Sequence, residues 1–91
     1  MINGVMFNPI GLEHYFYWQT QDRRTLKMIN QLITDIIRNG ERDGIGHPEP
    51  LKHDLSEKWA RTIDEKNRLI YKVTDENNLE MYHCKGHYSD T

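Results

Sequence analysis

The sequence contains little cysteine and no long apolar run. Its single cysteine, Cys84, excludes an intramolecular disulfide. The N-terminus lacks a basic stretch followed by a long apolar segment and a cleavage site, and every apolar segment is short and interrupted by charge. We therefore expect a cytoplasmic protein that has no contact with a membrane.

An excess of positive charge is also missing. Twelve Lys and Arg against fourteen Asp and Glu give a formal net charge of −2 at pH 7. Affinity for nucleic acid increases with the number of cations that meet phosphate, so this balance disfavours a protein that coats RNA. The composition is still compatible with a local basic patch on one face of the sheet.

Aromatic residues are abundant for a chain of this size. The 91 residues include two Trp, five Tyr and two Phe. Aromatic side chains supply much of the area that a small core can bury, so the composition predicts a folded chain. The length allows one domain, covering residues 1–91, with a single two-layer core.

The first half of the chain predicts a short strand and two helices. The strand covers residues 2–7, and Asn8-Pro9 has the residue types of a helix N-cap and first turn. Asp22 can cap a second helix, which ends at Asn39-Gly40. Apolar residues recur at helical spacing in both helices, and we assign them to the core: Leu12, Tyr15, Phe16 and Trp18 in the first, and Leu26, Ile29, Leu32, Ile33, Ile36 and Ile37 in the second.

The second half predicts a loop followed by an antiparallel meander. Residues 41–50 are rich in glycine, proline and charge without a period, which is typical of a loop. Three strands follow, at 58–63, 68–74 and 79–84, separated by clusters of turn residues. Strand alternation turns Leu69, Tyr71 and Val73 toward the helices and places Arg68 on the opposite face of the sheet.

Three residues could together cleave a phosphodiester. Prolines on both sides hold Glu49 in extended geometry, so its carboxylate could act as a fixed general base. The Arg68 guanidinium can bind two phosphate oxygens at once, and His87 can donate a proton near neutral pH. Each residue also has a simpler interpretation as a solvated surface side chain.

Other candidates stay open at this point. Lys52 is either a solvated lysine, a phosphate contact or a residue that tunes the charge of Glu49. His83, Cys84 and His87 are suitable types for zinc, but the usual paired spacing is missing, so we predict no metal and no cofactor. Trp59 could lie under the sheet or line an RNA groove.

The motifs together resemble the Txe/YoeB family of the RelE/ParE toxin superfamily. The resemblance covers the chain from Phe7 to Tyr88. It rests on these segments, which follow one another in family order: Tyr17-Trp18-Gln19, Pro48-Glu49-Pro50-Leu51-Lys52-His53, Leu55-Ser56 with Trp59, Asn67-Arg68-Leu69-Ile70-Tyr71 and Gly86-His87-Tyr88. It implies an α+β, RelE-like fold with two N-terminal helices packed on one face of a mainly antiparallel sheet of four to five strands.

The same resemblance implies a function. Such toxins enter the ribosomal A site and cut messenger RNA, bind an antitoxin of the Phd/YefM type and tend to form homodimers. The family's catalytic residues match Glu49, Arg68, His87 and Tyr88, and secondary RNA contacts fall to Lys52, Arg61 and Lys85. The alternative is a non-catalytic module of the same fold, which either binds only an antitoxin or poisons gyrase.

Overall fold

The computed structural model describes residues 2–52 and 57–87. It contains the helices α1 (Pro9–Gln21) and α2 (Arg23–Asn39) and the strands β1 (Gly4–Phe7), β2 (Glu49–Pro50), β3 (Trp59–Thr62), β4 (Arg68–Val73) and β5 (Asn78–His83). The strands form one five-stranded sheet in the order β1-β5-β4-β3-β2. β1 pairs parallel with β5, and the other neighbours are antiparallel. The predicted α+β fold with a mainly antiparallel sheet is confirmed.

Local sequence signals fix both helix starts. The Asn8 side chain accepts a hydrogen bond of 2.7 Å from the Gly11 N–H, and Pro9 occupies the first turn of α1. The Asp22 carboxylate accepts from the Arg24 N–H at 3.0 Å and so caps α2. α2 ends at Gly40, whose φ of 89° suits glycine. The predicted helix boundaries are therefore confirmed.

The main core lies between the helices and one face of the sheet. Its fully buried members include Ile29, Leu32 and Ile36 from α2 and Leu69, Tyr71, Leu79 and Met81 from β4 and β5. The alternation predicted for β4 is thus confirmed, since Leu69 and Tyr71 face the helices. A smaller apolar cluster of Leu51, Ala60 and Ile70, with Tyr82 packed against it, covers the opposite face.

The rotation of α1 differs from the prediction. Trp18 is buried, but Leu12 and Phe16 are 37% and 57% exposed, so assigning these two residues to the core was wrong. The reason lies at Gly11, where an added Cβ would come within 2.5 Å of the Met81 carbonyl oxygen. This close approach of helix to strand turns the Gly11 side of α1 inward and Phe16 toward solvent.

Two further details complete the fold. Residues 49 and 50, which we predicted as loop, form a two-residue strand paired with β3. In the part of the chain that the structure describes, neither helix is long and apolar enough to cross a membrane.

Candidate functional site

The sheet face away from the helices, here called the outer face, carries the predicted catalytic residues. Arg68 pairs with Thr62 across β4 and β3, and two residues along β4 Ile70 pairs with Ala60. Ala60 in turn pairs with Glu49 of β2. Residues paired across neighbouring strands share a face, so Glu49 and Arg68 both project from the outer face.

The register also sets the spacing of these two residues. Glu49 and Arg68 lie two strands apart and two residues apart along the strands, which separates their Cα atoms by about 12 Å. Both side chains are long, so their charged ends can approach one phosphate group from opposite sides. Glu49 is exposed, and the Leu51 N–H continues the pairing by donating to the Lys58 carbonyl at 2.9 Å.

The end of the described chain returns to Arg68. The Arg68 N–H donates to the Gly86 carbonyl at 3.0 Å, which places His87 directly beside the start of β4. The Arg68 Nη1 donates to the carbonyls of Asp64 and Asn67 at 2.5 Å and 3.1 Å. These bonds tie the guanidinium to the β3–β4 turn and leave its other N–H groups to bind an oxyanion. Arg68 and His87 are therefore brought together.

The sequence did not reveal the role of Asn67, which links the β3–β4 turn to the segment that bears His87. Its amide donates to both oxygens of the Asp64 carboxylate, and its Oδ1 accepts from the Gly86 N–H at 2.7 Å. Asn67 is 9% exposed. The spacing of Asp64 and Asn67 around a tight turn was a usable signal, because Asp and Asn side chains bond to nearby backbone in turns. The link to Gly86 could not be seen in the sequence.

The structure places the predicted secondary RNA-binding residues in different environments. Lys52 is exposed just after β2, three residues along the chain from Glu49. Lys85 is exposed, but its ammonium lies 4.3 Å from the centre of the Tyr17 ring and so points toward α1. Tyr88, like residues 53–56 and 89–91, lies outside the described residues.

The prediction of Arg61 as an RNA-binding residue does not agree with the structure, because its side chain lies in the interior. Its side chain is fully buried on the helix side of β3, as its neighbours in the register require. Nε donates to the Tyr71 hydroxyl at 2.9 Å, and Nη1 donates to the Asp35 carboxylate at 2.6 Å and the Ile45 carbonyl at 3.0 Å. Nη2 donates to the Gly40 and Asp43 carbonyls at 2.9 Å and 2.8 Å. With five hydrogen bonds, the guanidinium has no donor left for phosphate.

The groups around Arg61 respond to its charge. Burial of the Asp35 carboxyl opposes ionisation, but the hydrogen bonds from Arg61, Ile45 and Asn39 outweigh it and lower the pKa of Asp35. Burial raises the pKa of Tyr71, whose hydroxyl donates to the Glu41 carbonyl at 2.7 Å. The Thr62 N–H donates to the Gly46 carbonyl at 2.7 Å. Arg61 and its neighbours therefore fix the loop of residues 40–46 that leads to Glu49.

A basic and aromatic band, formed by Lys58, Tyr82, His83, His14 and Lys85, runs from the outer face to α1. The Lys58 ammonium lies 4.3 Å from the centre of the Tyr82 ring, and the rings of His83 and His14 are 5.4 Å apart. Burial and the charge of Lys58 lower the pKa of His83, and burial, His83 and Lys85 lower that of His14. Lys58 and Lys85 supply the positive charge of this band in a protein that is slightly acidic overall, whereas the lowered pKa values favour the neutral form of both histidines.

Trp59 and Cys84 belong to the interior. Trp59 packs partly buried against the main core, with the Arg42 guanidinium 5.8 Å from the centre of its ring. Cys84 is 1% exposed, and burial raises the pKa of its thiol to about 12, so it is not a nucleophile at neutral pH. Within residues 2–52 and 57–87, no three His, Cys, Asp or Glu side chains are grouped so that they could hold a metal ion.

Known proteins are similar to this chain in sequence and in fold. Residues 7–88 match the family described as YoeB-like toxin of bacterial type II toxin-antitoxin system. Toxin YoeB of Escherichia coli K12 is 49% identical over 76 residues, which cover 84% of this chain and 88% of the relative. The YoeB chain in the YoeB-YefM complex from Staphylococcus aureus is 40% identical with a TM-score of 0.87, covering 97% of this chain and 99% of that chain. The YoeB dimer from the same organism is 39% identical with a TM-score of 0.87, covering 97% and 100%.

These matches extend over nearly the whole chain and over the whole fold. The motifs around Glu49, Arg68 and His87 lie inside the matched region. The chain therefore belongs to the YoeB family of toxins of bacterial type II toxin-antitoxin systems, within the RelE/ParE superfamily.

Proposed function

We propose that this toxin is a ribosome-dependent endoribonuclease that cleaves messenger RNA in the A site and thereby stops translation. The observation that carries the proposal is the arrangement on the outer face. Glu49 and Arg68 share that face, and the segment that bears His87 is hydrogen-bonded to the backbone of Arg68. A base, a cation and an acid are thus available around one phosphate.

The proposed reaction needs one proton removed and one proton delivered. The Glu49 carboxylate takes the proton of the 2′-hydroxyl as the 2′-oxygen forms a bond to phosphorus. Arg68 stabilises the negative charge on the phosphorane oxygens. His87 gives its proton to the 5′-oxygen as the phosphorus–oxygen bond breaks. The products are a 2′,3′-cyclic phosphate and a 5′-hydroxyl, so all atoms and charges balance without a cofactor.

Tyr88 and the remaining cations have supporting roles in this proposal. Tyr88 stacks on a base or assists proton transfer, as the family resemblance implies. Lys52 contacts phosphate near Glu49, whereas Lys85 lies against the Tyr17 ring of α1 and is left out of the proposed site. Lys58 and Tyr82 replace Arg61 as contacts on the outer face, since the ring and the ammonium lie next to the apolar cluster that floors the site.

The modest charge of the protein supports dependence on the ribosome. A net charge of −2 gives little general attraction to free RNA. A local band of cations can still position RNA that the ribosome already holds. We therefore expect efficient cleavage of translated message and weak, salt-sensitive cleavage of free RNA.

Primer extension on a message after induced expression tests the proposal. The wild-type toxin should create new 5′ ends at codons, and Glu49→Gln and His87→Gln should lose them. Glu76→Gln is the matched control, because Glu76 is an exposed glutamate of the turn between β4 and β5, beyond the end of β4 opposite to Arg68. The same comparison in a purified translation reaction, with and without ribosomes, tests ribosome dependence.

The non-catalytic alternative makes a different prediction. A gyrase poison or a toxin that only binds its antitoxin has no need for a base and an acid around a cation. Growth arrest that persists without new 5′ ends, and that survives Glu49→Gln, would favour this alternative. Arrest that disappears together with the new ends supports the nuclease.

We also propose that an antitoxin of the YefM type silences this toxin, as the S. aureus complex suggests by its partner. A groove of about 1000 Å³ between α1 and α2 is a suitable docking surface. Its charged rim is formed by Arg23, Lys27 and Arg38, whereas its carboxylate, Asp35, is already neutralised by Arg61. An acidic segment of the antitoxin fits this charge.

Adjacent arginines provide the test of the groove. Arg23 lines it and Arg24 does not, although both are exposed in the first turn of α2. Arg23→Glu should weaken binding of the antitoxin encoded in the neighbouring reading frame, and Arg24→Glu should not. Equal effects would argue against the groove. A homodimer, the form in which a S. aureus relative was solved, is the proposed state of the free toxin and can be checked by sedimentation.

A further inference from the structure

Two side chains of α1 hold both backbone groups of Cys84. The Cys84 N–H donates to the His14 Nδ1 at 3.1 Å, and the Trp18 Nε1 donates to the Cys84 carbonyl at 2.8 Å. His14 and Trp18 are four residues apart and so lie on one face of the helix. Trp18 and Cys84 are 9% and 1% exposed, so the bond between them is buried, whereas the bond from Cys84 to His14 is partly buried.

The next anchor along the chain is Gly86. Its N–H donates to the Asn67 Oδ1 at 2.7 Å, and its carbonyl accepts from the Arg68 N–H at 3.0 Å. The segment 84–87 follows the end of β5 and is therefore held from two sides, by α1 at Cys84 and by the β3–β4 turn at Gly86. His87 is the next residue, so its position depends on these four bonds.

The bond to His14 requires a neutral ring. A backbone N–H can only donate, so Nδ1 must be the unprotonated nitrogen of His14. If Nδ1 carried a proton, two N–H donors would face each other and the bond would break. The surrounding charges work against that proton, because His83 of β5 and Lys85 face the ring, Lys58 adds its charge at His83, and Glu13 is the opposing carboxylate.

We propose that His14 is a positioning residue for the reaction, which in its neutral form holds Cys84 and thereby keeps His87 beside Arg68. Protonation of His14 removes one of the four bonds that hold the segment 84–87, so His87 is in place beside Arg68 for a smaller fraction of the time. The effect on cleavage rests on the proposed nuclease function, whereas the effect on the backbone does not. His14 touches no reacting atom and acts through the segment 84–87.

Two substitutions of His14 distinguish its role as a hydrogen-bond acceptor from the effect of its charge. His14→Asn places an amide oxygen near the position of Nδ1, so it can accept from Cys84 without titrating. His14→Leu removes the acceptor. Loss of this partly buried hydrogen bond should lower the cleavage rate of His14→Leu roughly tenfold at pH 8 with an unchanged KM, and by less at lower pH, where the wild type loses the same bond. His14→Asn should cleave at the wild-type rate at pH 8 and lose less activity than the wild type when the pH is lowered.

His83→Asn is the matched variant in the same ring pair. It leaves the bond from Cys84 to His14 in place but removes a positive neighbour, so His14 should take up its proton at a higher pH. The acid side of the activity profile should therefore move upward in His83→Asn. A structural defect would lower the rate without moving the profile in opposite directions in the two variants.

Amide hydrogen exchange of Cys84 and Gly86, measured without RNA, tests the backbone part alone. Protection of the Cys84 amide should decrease as the wild type is acidified, remain in His14→Asn and be lost in His14→Leu at all pH values. An unprotected Cys84 amide in the wild type, equal protection in all variants, or identical acid profiles for the wild type and His14→Asn would overturn the proposal. A wild type that shows the predicted exchange but cuts no RNA would refute the nuclease function and leave the role of His14 in place.

Discussion

Replacing Arg61 by methionine removes a buried guanidinium and the five hydrogen bonds that it donates. Breaking a buried ion pair by removing one partner costs about 3–5 kcal/mol of unfolding free energy. The Asp35 side chain is 16% exposed and keeps hydrogen bonds from Ile45 and Asn39. Water and these donors therefore reduce the loss of unfolding free energy. We therefore expect the lower end, about 3 kcal/mol, which corresponds to a decrease in Tm of about 12–24 °C for a domain of this size.

Urea unfolding followed by tryptophan fluorescence measures this loss, because Trp18 is buried in the core. Arg61→Lys should fall between the wild type and Arg61→Met, since it keeps the charge but has fewer donors. Combining Arg61→Met with Asp35→Asn should cost less than the sum of the two changes, because the second change removes the orphaned carboxylate. A loss below about 1 kcal/mol in Arg61→Met, with weaker RNA binding instead, would refute the structural role and restore the RNA contact.

Three further predictions follow from single residues. Arg68→Lys should keep the circular dichroism spectrum but lose about 100-fold in cleavage rate, because lysine cannot bind two phosphate oxygens with a fixed fork; retained cleavage would contradict the role of Arg68. The unfolding free energy should decrease as the pH falls below about 6.5, because the folded state lowers the pKa of His14 and His83 and the unfolded chain takes up protons first. Replacing both histidines by asparagine should flatten that decrease, and an unchanged slope would count against it. Cys84 should react with a thiol reagent at pH 8 only after unfolding, because burial raises its pKa to about 12; rapid reaction of the native protein would show an open core.

Local signals predicted most of the secondary structure. Asn8 and Asp22 cap helices in the structure as their sequence context indicated. Alternation along β4 placed Arg68 on the face opposite the core, because side-chain direction in a strand depends only on parity. These features are determined within a few residues of the chain, so the sequence contains them directly.

Features that depend on distant parts of the chain were not predicted. The interior position of Arg61 depends on closure of the 40–46 loop over its guanidinium, which no local pattern encodes. α1 carries apolar residues on several sides, so spacing alone could not show that Gly11, rather than Phe16, sets the buried face. The link between His14 and Cys84 joins residues 70 positions apart.

The pairing of β1 with β5 has a consequence for synthesis of the toxin. The first strand lies at the edge of the sheet, and its neighbour there is the last strand, so β1 cannot take its place until β5 has left the ribosome. The backbone anchors of residues 84 and 86 form later still. A nascent chain therefore lacks an assembled site until β5 and the segment 84–87 have emerged from the ribosome.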